Sequence, residues 1–299
     1  MTTRPRQHAV LQAKFLGTKA NQTLSTSNSA TVMGVTSRGI FLKPKTKWVI
    51  FLSFEDHRGP MTINLKGDIS PLRDLTPGEL IQISPNLITV PKHNLAISTQ
   101  HASIWQPVLI NSETHDRQDM SPRLKAFTQD AYAQNSGVGL SGSLPALLDF
   151  PAEKGQDSDG NILSIRNHIK HDDLIASLEL IENLLGRGSG LTPSGDDFII
   201  GLLLTLNRWN DALGIGNELQ SFNVRVVEAA YAKTTTLSAN LIECAAEGQG
   251  DERLIAALDF LMTGESNQDR LLNELLNWGN SSGVDALVGM VVGISPKLD

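Results

Sequence analysis

The chain has 299 residues, 40% of them hydrophobic and 5% aromatic, with a formal net charge of −7 and a single cysteine, Cys244. That length and apolar content can close a core without cross-links, while one cysteine excludes an intramolecular disulfide and a cysteine-based zinc cluster. The acidic balance argues against a general nucleic-acid binder, and so few aromatic rings leave few platforms for exposed bases. No segment reaches the roughly 18–20 uninterrupted apolar residues of a membrane span, and the first residues lack the apolar run of a signal peptide. The expected location is cytoplasmic, with neither membrane nor nucleic acid as a partner.

From about Ala30 to Trp105 the pattern predicts short strands separated by turn signals. Ala30–Val35 and Ile40–Leu42 flank Ser37-Arg38-Gly39, and Lys47–Phe54 and Pro60–Leu65 flank Glu55-Asp56-His57-Arg58-Gly59; both pairs read as hairpins. Glu79–Ile83 and Leu87–Val90, joined by the turn Ser84-Pro85-Asn86, follow, then Leu95–Ser98 and Ser103–Trp105, giving eight evenly spaced strands that suggest a barrel or sandwich. His57 and Arg58, in a turn, are either solvated or able to reach a site elsewhere, and solvation is the simpler reading.

Between 111 and 170 the chain reads as a mixed, partly flexible connector with one helix at Pro122–Gln134 and a polar, glycine-containing stretch at Glu153–Asn161. From 171 onward the period becomes helical, with candidates at 172–185, 195–209, 218–232, 237–246, 251–262, 268–278 and 283–294. The expected fold is α+β: a β-rich barrel or sandwich-like domain over 1–110, the connector, and an all-α domain over 171–299. Phe198–Trp209 and Val284–Ile294 are apolar on nearly every face, so other helices must surround each of them.

The starts of those two helices carry a short internal match. Ser194, Gly195, Asp197 and Gly201 recur as Ser282, Gly283, Asp285 and Gly289, a shared S-G-x-D-x-x-x-G. A serine followed three residues later by an acid has the spacing of a capping box, which is the structural reading. The functional reading rests on the glycines, which leave backbone N–H groups open at helix N-termini, where anions bind. Small and hydroxylic neighbours, Gly186-Arg187-Gly188-Ser189-Gly190 with Thr192 before the first turn and Gly279-Asn280-Ser281 before the second, exceed what capping requires.

A third polar cluster, Lys233, Thr234, Thr235 and Thr236 with Ser238 and Asn240, starts an alanine-rich helix and reads structurally as an N-cap with spare hydroxyls. Arg187 and Lys233 are the cations able to offset an anionic substrate, while Asp196, Asp197 and Asp285 suit a metal, a cationic group or an amide. The N-termini at Gly195 and Gly283 are expected to converge beside Thr234–Ser238. No residue is assigned as a metal ligand, although Mg2+ fits as an optional cofactor.

Weaker signals fail on spacing. Asp157-Ser158-Asp159-Gly160-Asn161 imitates a calcium loop, but its twelfth position is His168 and its glycine falls fourth. His168 and His171 beside Asp172 and Asp173 read as a solvated helix start rather than a metal site. No Walker loop, dinucleotide fingerprint, zinc-protease motif or nucleophile elbow occurs.

The run Leu184-Leu185-Gly186-Arg187-Gly188-Ser189-Gly190-Leu191-Thr192-Pro193-Ser194-Gly195-Asp196-Asp197-Phe198 resembles the AllH-like family, a bacterial domain of unknown function named after the oxamate carbamoyltransferase H subunit. Thr234-Thr235-Thr236-Leu237-Ser238-Ala239-Asn240-Leu241, then Ala245-Ala246-Glu247-Gly248, and Gly279-Asn280-Ser281-Ser282-Gly283-Val284-Asp285 extend the likeness, so that it spans roughly Leu184 to Gly293. Asn280 departs from it, since many relatives are expected to carry histidine there. The resemblance implies a subunit of oxamate carbamoyltransferase, an enzyme of allantoin and purine catabolism that converts oxalurate and phosphate to oxamate and carbamoyl phosphate. It also implies other subunits of that complex as partners, and phosphate, carbamoyl phosphate or oxamate as the small anionic ligand. The alternative is a non-catalytic scaffold or ligand-binding subunit in which the same turns are caps.

Overall fold

The computed structural model describes residues 9–110, 117–153 and 158–298. Chain contacts separate two units, 1–106 and 107–299. The structure bears out the α+β expectation: an eight-stranded β-barrel with a ninth strand, followed by a helical region.

In the first unit the strands are β1 (Ala9–Gly17), β2 (Ser29–Val35), β3 (Gly39–Pro44), β4 (Ile50–Ser53), β5 (Thr62–Leu65), β6 (Leu80–Ser84), β7 (Leu87–Val90), β8 (Leu95–Ser98) and β9 (Ser103–Trp105). The ring runs β5-β4-β3-β2-β6-β7-β8-β1 and closes through β1 on β5, which leaves no free edge inside it. Alternation drives closure: Ile81 and Ile83 of β6 are buried while Leu80, Gln82 and Ser84 face outward. The interior is filled by branched side chains such as Ile40, Leu42, Ile50, Leu52, Ile63, Ile88 and Ile97.

Two strand readings change. β1, which the turn signals did not announce, pairs antiparallel with β5 and runs parallel to β8 and then β9. Its partners lie far off in sequence, so no local turn marks it. The second expected hairpin is not one: β4 lies antiparallel to β3 but parallel to β5, with Phe51 opposite Thr62. The segment between them folds back over the strand end, held by the buried Asn64 side chain, which donates to Glu55 O at 2.9 Å and His57 O at 2.8 Å. Arg58 of that segment stacks over the rings of Phe15 and Trp105 in the same unit.

The second unit contains α2 (Arg117–Asn135), α3 (Leu144–Leu148), α4 (Gly160–Lys170), α5 (Leu178–Leu184), α6 (Ser194–Arg208), α7 (Asn210–Leu213), α8 (Leu219–Lys233), α9 (Thr236–Ala246), α10 (Glu252–Thr263), α11 (Gln268–Leu276) and α12 (Ser282–Ile294); α1 (Thr18–Thr26) belongs to the first unit. The described parts of 111–170, read above as a connector, supply three helices, and α2 and α4 both pack on α12. Residues 111–116 and 154–157 of that stretch, including Asp157, lie outside the described residues. α6 and α12 form the centre: every residue of Gly195–Leu206 and of Gly283–Ile294 is buried. Their all-round apolar sequences demand this, and α2, α4, α9, α10 and α11 supply the surroundings.

Candidate functional site

The two central helices run parallel and touch through backbone. A β-carbon on Gly201 would lie 1.9 Å from Ala286 O, and one on Gly289 would lie 2.0 Å from Phe198 O. Since Phe198 and Gly201 correspond to Ala286 and Gly289 in the repeat, the contact is reciprocal, as a pseudo-two-fold axis along the helices requires. Only glycine permits this approach, which brings Cα–H groups against carbonyl oxygens.

The motif's first glycines serve the same end. A β-carbon at Gly195 would meet Leu184 O at 2.0 Å, and one at Gly283 would meet Leu275 O at 2.0 Å. Their N–H groups, expected to face an anion, donate instead to Arg187 O and Trp278 O, both at 2.9 Å. Each helix start is therefore clamped against the end of the helix before it. In the first linker, Gly186, Gly188 and Gly190 all take positive φ, which accounts for their alternation.

The serines are not caps. Neither α6 nor α12 has a side-chain N-cap bond, in contrast to α4, α9, α10 and α11, which are capped by Asp159, Thr235, Asp251 and Asn267. Instead the hydroxyls act across the axis: Ser282 favours the ionised form of Asp197, and Ser194 that of Asp285. Thr192 Oγ1 lies 3.3 Å from Ser282 Oγ and donates to Asp197 Oδ2 at 3.2 Å. Asp285 Oδ1 accepts from Leu140 N–H at 2.6 Å, and the Ser281 hydroxyl also favours its ionised form. A shared cluster at converging N-termini thus replaces two separate capping boxes.

Asp196, Asp197 and Asp285 are all fully buried, yet their surroundings differ. Asp196 accepts from Gly186 N–H at 2.8 Å and from Thr234 Oγ1, so both its oxygens tie neighbouring segments together. Asp197 Oδ1 and Asp285 Oδ2, by contrast, are buried without a hydrogen-bond partner. Burial, with the charges of Asp285 and Asp196, pushes the Asp197 pKa up to about 8 against the opposing Ser282 and Thr192 bonds. Burial also raises Asp285, opposed by Leu140 N–H, Ser194 and Ser281. Asp197 therefore holds a proton at neutral pH, and the site combines a neutral acid with a second perturbed carboxyl.

The remaining candidates form the rim or face elsewhere. Thr192, Ser194, Thr234, Ser281 and Ser282 are half-buried around the acids, and Asn280 is exposed. Thr235 accepts from Ser238 N–H at 3.0 Å and donates to Leu191 O at 3.1 Å, which seats α9 against the first linker. Asn240 is buried but its Nδ2 donates to the Tyr231 hydroxyl, which donates in turn to Glu243. Neither expected cation points at the acids: Arg187 is ion-paired with Asp159, and Lys233 with Glu182 at 2.7 Å. Among the described residues, no group of three or more His, Cys, Asp and Glu side chains is arranged to hold a metal ion.

Residues 184–294 match the family model described as oxamate carbamoyltransferase subunit AllH. The segment is AllH-like. The match covers a little over a third of the chain, from the end of α5 to the end of α12, and contains every candidate site residue. No curated protein and no solved structure gives a significant match to the chain. Outside the AllH-like segment, Gly139 and Leu140 also build the cluster: a β-carbon on Gly139, whose φ is +53°, would lie 2.1 Å from Asp285 Oδ1. The sequence reading missed both; the Gly137-Val138-Gly139 turn after α2 was the available signal. No helix among the described residues is long and apolar enough to cross a membrane.

Proposed function

We propose that this chain is a subunit of an oxamate carbamoyltransferase-like enzyme and that the Ser/Asp cluster of α6 and α12 is its small-molecule site. The observation that carries the site is the pair of buried, unpartnered oxygens, Asp197 Oδ1 and Asp285 Oδ2, within the AllH-like segment. Leaving such atoms unpaired costs on the order of 1–3 kcal/mol each, an arrangement a fold retains where a ligand completes it.

The reaction converts oxalurate and phosphate to oxamate and carbamoyl phosphate. A phosphate oxygen bonds to the ureido carbonyl carbon, the bond from that carbon to the oxamate nitrogen breaks, and that nitrogen takes up a proton. Positioning and charge stabilisation suffice, without a protein nucleophile. The anionic parts of the substrates belong at the rim, where the exposed Asn280 offers its side-chain amide. Arg187 and Lys233 reach them by exchanging Asp159 and Glu182 for the incoming anion. The test is turnover of oxalurate with phosphate by the chain assembled with its partner subunits, with and without Mg2+. Asp197→Ala and Asp285→Ala should each lower kcat/KM by about a hundredfold or more, the scale of losing a preorganised polar contact. Full activity in folded variants sinks the site.

A scaffold reading draws on a separate observation, the engagement of the Gly195 and Gly283 amides inside the fold, as a structural junction needs. It predicts that the same variants weaken the fold or the assembly while ligand binding is absent in the wild type.

A further inference from the structure

We infer that Asp197 and Asp285 form a subsite for a primary amide or ureido group, holding the carbamoyl end of a small substrate while its anionic end faces the rim. The inference deepens the site reading above and rests on it.

Both side chains are fully buried, and one oxygen of each lacks a partner. Asp196, equally buried one residue away, uses both its oxygens on Gly186 and Thr234. The orphan atoms are thus particular to the two residues that the pseudo-two-fold axis places together, and are not a general property of this acidic patch.

An anion is a poor occupant. The Gly195 and Gly283 N–H groups are committed to carbonyls, and Arg187 and Lys233 pair with Asp159 and Glu182. A carboxylate or phosphate against the two acids would add repulsion with no cation to offset it. A primary amide matches instead. Its carbonyl accepts from the acid O–H at one orphan oxygen, and an N–H donates to the orphan oxygen of the other carboxyl. A donor beside an acceptor is what the protonated Asp197 and the unpartnered oxygen of Asp285 present. The hydroxyl-bearing residues around the acids, Thr192, Ser194, Ser281 and Ser282, are half-buried and adjoin in sequence the exposed stretches Gly186–Leu191 and Gly279–Asn280.

Calorimetric titration of the full chain with oxamate, oxalate and ammonium tests the assignment, because oxamate and oxalate differ by –CO–NH2 against –COO− at nearly equal size. Oxamate should bind at least tenfold more tightly than oxalate, and Asp197→Ala and Asp285→Ala should each remove that preference. The wild-type comparison needs no variant, so a failure of either variant to fold leaves the test intact. Equal affinity for oxamate and oxalate, binding of ammonium alone, or no binding of oxamate overturns the subsite. Turnover by the assembled complex separates the two readings. Turnover without oxamate preference removes the amide subsite and keeps the subunit assignment, whereas preference without turnover does the reverse.

Discussion

The two helix starts Ser194-Gly195-Asp196-Asp197 and Ser282-Gly283-Val284-Asp285 share one motif and differ at one position. Where the motif is shared, the residues do the same job twice: glycine admits the preceding helix, serine reaches across the axis, and aspartate receives the other serine. Where it differs, Asp196 ties the Gly186 linker to Thr234, while Val284 is buried core. The variable position thus serves local architecture, and the invariant ones serve the junction between helices. Adjacent acids in one turn consequently have unrelated roles, which a count of carboxylates would merge.

The largest effect should come from the proton on Asp197. Its pKa rises from 3.8 to about 8 on folding, so between those values the native state holds a proton that the unfolded chain has lost. Stability therefore falls as pH rises through that window, by up to about 1.4 kcal/mol per pH unit, and levels off above it. Chemical denaturation from pH 4 to 9 reads the slope. Asp197→Asn should remove its contribution and leave that of Asp285; an unchanged profile would mean that Asp197 titrates normally.

The helix contact should break next. Gly201→Ala and Gly289→Ala each place a methyl group within 2.0 Å of a backbone carbonyl that cannot rotate away, so each should cost about 3 kcal/mol or more, the upper end of overpacking. Gly216→Ala, with nothing within 4 Å, is the matched control and should be near neutral. Similar losses at Gly201 and Gly289 would confirm the reciprocal geometry in thermal melts; a loss at one alone would break it.

The serines sharpen the comparison further. Ser282→Ala leaves Asp197 with Thr192, whereas Ser194→Ala leaves Asp285 with Leu140 N–H and Ser281. Ser282→Ala should cost roughly 1–3 kcal/mol and Ser194→Ala less, by the number of partners that remain. Equal losses in urea denaturation would show that the surroundings of the two acids do not matter.

Much of this was legible in the sequence, for identifiable reasons. Turn residues near Ser37-Arg38-Gly39 and Ser84-Pro85-Asn86 marked two true hairpins, and apolar residues around every face of α6 and α12 required burial. The repeated motif located the cluster because its spacing places Ser, Asp and Gly on one helix face. What stayed hidden depends on contacts remote in sequence. β1 finds its partners only when the barrel closes, β4 and β5 are parallel despite a short connection, and Leu140 meets Asp285 across more than a hundred residues. The glycines were read as openings for a ligand because an absent side chain looks the same whether an anion or another backbone fills the space. Charge pairing was equally invisible, since nothing near Arg187 in sequence points to Asp159.

That ion pair gives the smallest effect and separates rim from centre. Arg187 is about half exposed, so water screens its attraction to Asp159, and breaking the pair should cost less than about 1 kcal/mol. Asp159 also caps α4 by accepting from Asn161 N–H at 2.9 Å, and asparagine keeps that role, so Asp159→Asn removes the charge without removing the cap. If Arg187 serves the anionic end of the substrate, freeing it should tighten oxamate binding severalfold while the preference over oxalate, set at Asp197 and Asp285, changes little. Arg187→Ala should weaken both ligands. Calorimetry on the two variants reads the division directly: a changed preference in Asp159→Asn would place Arg187 with the central acids, and unchanged affinities in both variants would leave it a surface ion pair.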